Sequence, residues 1–200
     1  MAVSARRGQP LTLEEIYATT LRLVDAAGVD GLSMRKLAAE LDVNPMSLYH
    51  HVENKEALMS GACAVVASRL RLPADDGAPW QDQLRALGHA YRSLARSHPS
   101  LWSYVNGHPN LVKQENTLWA VFNRILCAAG IPAEDLVHTR KVLYTFVSGF
   151  LSAETSGLLF ELEGTADADS AFEIALDLIV AGLESRHSAV AGPPPEPLGR

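Results

Sequence analysis

Two hundred residues, 48% of them hydrophobic and 20% charged, make a chain large enough for a sizeable core and one or two domains, which excludes disordered and collagen-like classes. Two cysteines, Cys63 and Cys127, lie in apolar helical stretches without a CxxC pair, so a disulfide scaffold and a cysteine zinc site are excluded as well. The net charge of −6 is uneven: residues 150–200 hold two basic and nine acidic side chains, so any contact with nucleic acid must come from a small focused surface.

The remaining exclusions concern location. The first ten residues lack an apolar leader core and no run of 18 apolar residues occurs, so the expectation is a cytoplasmic chain with no membrane partner.

In chain order the pattern is that of an all-α protein, with no period-two alternation long enough for a strand. A first helix opens on a capping box, Thr12 with Glu15. It carries Leu13, Ile16, Tyr17, Leu21 and Val24 on one face and stops at Gly28. A second follows Ser33, with Leu37, Ala38 and Leu41 inward, and a third begins at Pro45 with Asn44 as N-cap. A fourth starts after Asn54 and continues to about Leu70. Pro73, Asp75, Asp76, Gly77 and Pro79 form the most loop-like interior segment.

Trp80, Leu84, Leu87, Tyr91 and Leu94 then recur at helical spacing as far as His98, and a short helical piece precedes Gly107. Further helices are expected over about 110–129, over 132–160 and from about 170 to 185, the second of them apolar over much of its circumference. Residues 192–200 read as a Pro-rich tail.

Two short helices joined by three residues form the pattern of a helix-turn-helix: small Ala38 permits a close crossing, and Leu41, Val43 and Leu48 are spaced to meet in one plug. The second helix exposes Met46, Ser47, Tyr49 and His50, side chains suited to base edges and phosphates. Arg35 and Lys55 lie at helix N-termini, where the dipole disfavours a structural cation and a phosphate partner explains them better.

The run LSMRKLAAELDVNPMSLYHHVENKEAL, Leu32 to Leu58, closely resembles the DNA-binding domain of the tetracycline-repressor (TetR) family, on the branch nearest the tetracycline repressor. The match is specific over about the first sixty residues and loose beyond them. Asp42 stands where the family usually has Gly, and Asp tolerates the left-handed turn conformation better than most residues. The resemblance implies DNA contacts from Arg35, Asn44, Pro45, Met46, Ser47, Tyr49, His50, His51 and Lys55, while an arm at Arg6 and Arg7 stays open. The expected organisation is a DNA-binding domain over 1–58, a ligand-binding and dimerisation domain over 59–188, and a disordered tail over 189–200.

The resemblance further implies a homodimer on a palindromic double-stranded operator. Phe146, Phe150, Ala153, Gly157, Leu176, Ile179 and Leu183 are the expected seam, on helices with too much apolar circumference for a monomer. An effector of apolar or aromatic character is expected among Trp102, Tyr104, Asn106, His108, Trp119, Phe122 and Asn123. Tyr104 aligns with a metal-binding His of the tetracycline repressor, so a metal chelate is not expected. No GxSxG, GxGxxG, P-loop or HExxH occurs and no His pair sits at i, i+4, so no catalytic residue, metal site or cofactor is expected. The rivals are a ligand-independent architectural DNA-binding protein and an enzyme with a cryptic site.

Overall fold

A computed structural model describes residues 10–108, 117–159 and 168–191; of 187–191 it describes the backbone. Arg6, Arg7, the start of the helix expected over about 110–129 and residues 192–200 lie outside the described residues. Among the described residues the helices are α1 (Leu13–Ala27), α2 (Met34–Glu40), α3 (Pro45–Tyr49), α4 (Lys55–Ser68), α5 (Trp80–Ser97), α6 (Pro99–Gly107), α7 (Thr117–Ala128), α8 (Leu136–Thr155) and α9 (Ala168–Ala191).

The chain forms two compact units. The first comprises residues 1–71 and 92–114, and the second residues 72–91 and 115–200. Residues 92–114, which include α6, therefore group with the helix-turn-helix segment and not with the rest of the expected second domain.

Local side chains start the helices of the first unit. Thr12 Oγ1 accepts from the Glu15 amide at 3.2 Å while the Glu15 carboxylate accepts from the Thr12 amide at 3.0 Å, the reciprocal pair that satisfies two otherwise orphaned donors. Ser33, Asn44 and Asn54 cap α2, α3 and α4 through their side-chain oxygens. Asp42 has φ +53°, the left-handed conformation that the turn between α2 and α3 requires. Gly28, at φ +71°, ends α1.

These ends orient faces that bury Ile16, Leu21, Val24, Leu37, Ala38, Leu48, Leu58, Met59 and Leu101 in one core. Leu13 is the exception on α1, 44% exposed at the helix start, while Thr20 is buried with its hydroxyl donating to the Ile16 carbonyl at 2.8 Å. Gly61 allows α4 to approach α1, since a Cβ there would overlap the Tyr17 ring. His98, just before α6, holds Asp25 of α1 at 2.9 Å.

The second unit packs Leu84 and Leu87 of α5, Phe122, Ile125 and Leu126 of α7, Ile131, and Val180 and Leu183 of α9. The helix expected over 132–160 starts at Leu136 and is broken at Ser156 and Gly157; Gly157 has φ +83°, a conformation that ends a right-handed helix. The last helix exceeds its expected span at both ends, reaching Ala191 and so entering the stretch assigned to the tail.

The acidity of the last third has a partner. Along α5 and α9, Gln81 faces Glu184 at 2.9 Å, Arg85 faces Asp177 at 2.7 Å and His89 faces Glu173 at 3.5 Å. Along α5 these residues recur every four positions, about one helical turn, while their partners on α9 step back by seven residues and then four, the reversed order expected of neighbouring helices that run in opposite directions.

Candidate nucleic-acid interface and effector pocket

In the first unit, α3 buries Leu48 completely and turns Met46 and Tyr49 outward, 64% and 46% exposed. A large apolar and an aromatic side chain held in water on a five-residue helix are unusual without a partner. Pro45, His50 and His51 are exposed beside them and Ser47 is half-buried. Asn44 has a structural duty, its Oδ1 accepting from the Met46 amide at 2.9 Å. Arg35 is exposed on the first turn of α2.

Lys55 corrects the expectation that the fold gives such a cation nothing to do. Its Nζ donates to the carbonyls of Val29 at 2.8 Å and Leu32 at 2.9 Å, tying the start of α4 to the loop between α1 and α2. An ammonium has three donors, so one hydrogen remains for a phosphate.

The second unit holds a cavity of about 50 Å³, partly open to solvent. Leu84, Leu87, Gly88 and Tyr91 line it from α5, and Leu118, Trp119 and Phe122 from α7. Leu143, Tyr144 and Val147 of α8 and Leu176 and Ile179 of α9 complete the wall. Trp119 and Phe122 lie within 16° of parallel at 6.4 Å, and Tyr144 sits 5.1 Å from Trp119. Burial pushes the Tyr91 hydroxyl well above its usual pKa, and neighbouring Tyr144 adds to the rise.

The comparisons with known proteins address both units. Residues 16–62 match the family model "Bacterial regulatory proteins, tetR family", and residues 84–179 match "Tetracyclin repressor-like, C-terminal domain". The class A tetracycline repressor of transposon 1721 from Escherichia coli is 30% identical, over 88% of this chain and 91% of that protein. The chain belongs to the TetR family of bacterial transcriptional regulators.

Among similar solved structures, BioQ with its double-stranded DNA operator has a TM-score of 0.71 at 26% identity, covering 88% of this chain and 99% of BioQ. ActR of Streptomyces coelicolor with (S)-DNPA gives 0.71 at 26%, covering 89% and 99%. The chain spans 61% of a 31% identical HTH-type regulator of Saccharopolyspora erythraea, 72% of this chain being covered. Both family models describe transcriptional regulators, and TetR-family regulators are not enzymes. Among the described residues no cluster of His, Cys, Asp or Glu suits a metal, and no helix is long and apolar enough to cross a membrane.

The expected effector residues of this TetR-family chain divide between the units. Trp119 and Phe122 line the cavity. Asn123 is not part of its wall; its Oδ1 accepts from Arg140 Nη1 at 3.1 Å, and the Arg140 guanidinium lies 4.9 Å from the Trp119 ring centre. Trp102, Tyr104, Asn106 and His108 belong to the first unit: Trp102 is buried, Asn106 exposed, and Tyr104 stacks on His108 at 4.0 Å. The other ten lining residues were missed; of these Leu84, Leu87, Gly88 and Tyr91 carry a signal, an i, i+3, i+4, i+7 spacing that marks one face of α5, whereas those of α8 and α9 have no such local mark.

The residues expected at a dimer seam divide in burial. Leu176 and Leu183 are buried in the second unit and Ile179 lines the cavity, so these three face inward. Phe150 is half-buried against Phe172, with ring centres 5.5 Å apart, Ala153 is half-buried, and half-buried Gly157 lies past the end of α8. Phe146 is exposed as expected of a seam, and with it stand Val142 on α8 and Ile174 and Leu178 on α9, both at least 60% exposed. The apolar periodicity of α9 gave the inward stripe; its exposed apolar residues mark another face.

Proposed function

We propose that the protein is a cytoplasmic, homodimeric repressor that binds a palindromic operator through α3 and leaves it when a small apolar or aromatic effector occupies the cavity of the second unit. The observation that carries this is the α3 face, where Met46 and Tyr49 stand in solvent above fully buried Leu48. BioQ with its DNA operator and ActR with (S)-DNPA support the reading by analogy. The supporting DNA contacts are Arg35, Ser47, His50, His51 and the free hydrogen of Lys55; Pro45 and Asn44 set the start of the helix.

Two-fold symmetry follows from a palindromic target, and Val142, Phe146, Ile174 and Leu178 supply unpartnered apolar surface for a second copy. Release requires an effector that prefers a state with the two reading helices wrongly spaced, since equal affinity for both states shifts nothing.

The test is selection of binding sites from a random duplex pool, followed by titration of the selected operator. Tyr49→Ala weakens specific binding at least tenfold with thermal stability unchanged, and Phe146→Glu lowers both the dimer fraction in sedimentation and operator affinity. Selection of no sequence, or binding indifferent to both substitutions, overturns the proposal.

A further inference from the structure

The exposed face of α3 is poor in side chains that tell base pairs apart by hydrogen bonds. In the major groove guanine is read by paired bonds from Arg or Lys, adenine by paired bonds from Asn or Gln, and thymine by apolar contact with its C5-methyl group. The five residues of α3, Pro45–Tyr49, hold no Arg, Lys, Asn or Gln. Asn44 beside them is committed as the N-cap, its Oδ1 accepting from the Met46 amide at 2.9 Å, and a paired contact with adenine uses that same oxygen. Ser47 is half-buried with one short hydroxyl, and exposed His50 and His51 offer single ring nitrogens.

The cations nearby are largely spent on the fold. Lys36 Nζ donates to the Gly31 carbonyl at 3.2 Å and Lys55 Nζ to those of Val29 and Leu32, which draws both ammonium groups to the loop between α1 and α2. Arg22 pairs with Glu40 at 2.8 Å. Arg35, exposed in the first turn of α2, is the guanidinium placed to serve as a paired donor. What α3 itself presents is Met46, the most exposed large apolar side chain of the first unit at 64%, with Tyr49 three residues on at 46%. A thioether chain is flexible and polarisable, and it moulds to an irregular apolar surface.

We propose that Met46 reads a thymine in each half of the operator by lying against its C5-methyl group, so that α3 recognises sequence through methyl contact while Arg35 supplies the paired hydrogen bonds. The inference rests on reading α3 as the operator-binding helix, and it adds the base, and the atom of that base, that Met46 recognises.

The experiment uses the duplex that the full chain selects from the random pool. Each symmetric pair of thymines is replaced in turn by deoxyuridine, which keeps every hydrogen-bonding group and removes only the methyl, and affinity is read by fluorescence anisotropy at fixed ionic strength. At about fourfold per buried methyl, one such pair is expected to cost about fifteenfold in the wild-type chain. Met46→Ala, with its folding checked by thermal melting, brings that thymine-to-uracil ratio to within about twofold, whereas Met46→Leu, which keeps apolar contact, holds it above about fivefold. At the same position 5-methylcytosine binds more tightly than cytosine. A selected operator with no thymine in its half-sites, or one in which no uracil substitution matters, overturns the inference and leaves α3 standing as the reading helix. A methyl effect that survives Met46→Ala overturns the assignment to Met46. Selection of no sequence sinks the reading of α3 itself, and the inference with it.

Discussion

The two units hold their polar groups by different means. In the first, the helix starts are closed by side chains near in sequence, Thr12, Ser33, Asn44 and Asn54 each capping the helix that follows, with a few longer ties such as Lys55 to Val29 and His98 to Asp25 beside them. In the second, the polar groups reach across sequence, Arg85 to Asp177, Gln81 to Glu184 and Arg124 Nη2 to the Pro73 carbonyl at 2.8 Å. Local closure fixes the helix starts that shape the outer face carrying Met46 and Tyr49. Long-range closure instead assembles four helices around a cavity, so its walls depend on contacts distant in the chain.

The largest expected effect tests the long-range side. Phe172 is 1% exposed and its ring meets His89 of α5 at 5.7 Å and Phe150 of α8 at 5.5 Å, joining three helices at one point. Phe172→Ala removes that junction, and a loss of about 3–5 kcal/mol in denaturant unfolding is expected. A loss below about 1 kcal/mol would mean that the second unit closes without this contact, and the contrast between the units would fail.

A smaller effect tests a long-range tie in the first unit, where Lys55 joins two distant backbone carbonyls. Lys55→Met leaves the Val29 and Leu32 carbonyls without that donor, and about 1–3 kcal/mol of stability is expected to go with it. The substitution therefore reports on DNA only after its effect on folding has been measured. An unchanged Tm with weakened operator binding would return Lys55 to a purely phosphate-contacting role.

The same contrast decides what sequence alone made readable. The capping box of α1, the single caps of α2 to α4, the left-handed turn at Asp42 and the Leu37, Leu48 and Leu58 core are written within a few residues of where they act, so α1 to α4 and the outward face of α3 follow from spacing. The cavity is written across α5, α7, α8 and α9 and has no local signature. Aromatic residues near Gly107 looked like a pocket because they cluster in sequence, whereas Trp102 and Tyr104 group with the first unit. On α9, Leu176 and Ile174 are two residues apart and face opposite ways, a choice that only the neighbouring helices settle.

The α5 and α9 pairing offers a weaker lever. Arg85 and Asp177 are 34% and 67% exposed, so solvent and salt screen them, and a double-mutant cycle is expected to give about 0.2–1 kcal/mol at low ionic strength. Because both charges face water, the coupling should shrink in molar salt. A coupling that persists there would make the contact between these helices drier than their exposure implies.

The least perturbing comparison uses one thiol from each unit. Burial pushes the Cys63 thiol up from about 9 to about 11, whereas Cys127 is exposed. The reactive species is the thiolate, and at pH 8 a group with a pKa near 11 is ionised in only about one molecule in a thousand. Raising the pKa favours the protonated form, so Cys63 reactivity should climb about tenfold per pH unit up to pH 11 for as long as the fold survives. With N-ethylmaleimide at pH 8, mass spectrometry should find Cys127 modified quickly and Cys63 only after denaturant is added, with Tm unchanged by the first label. Equal rates in the native protein would mean that the first unit opens around α4 on the labelling timescale, and that its local closure is looser than its caps and core imply.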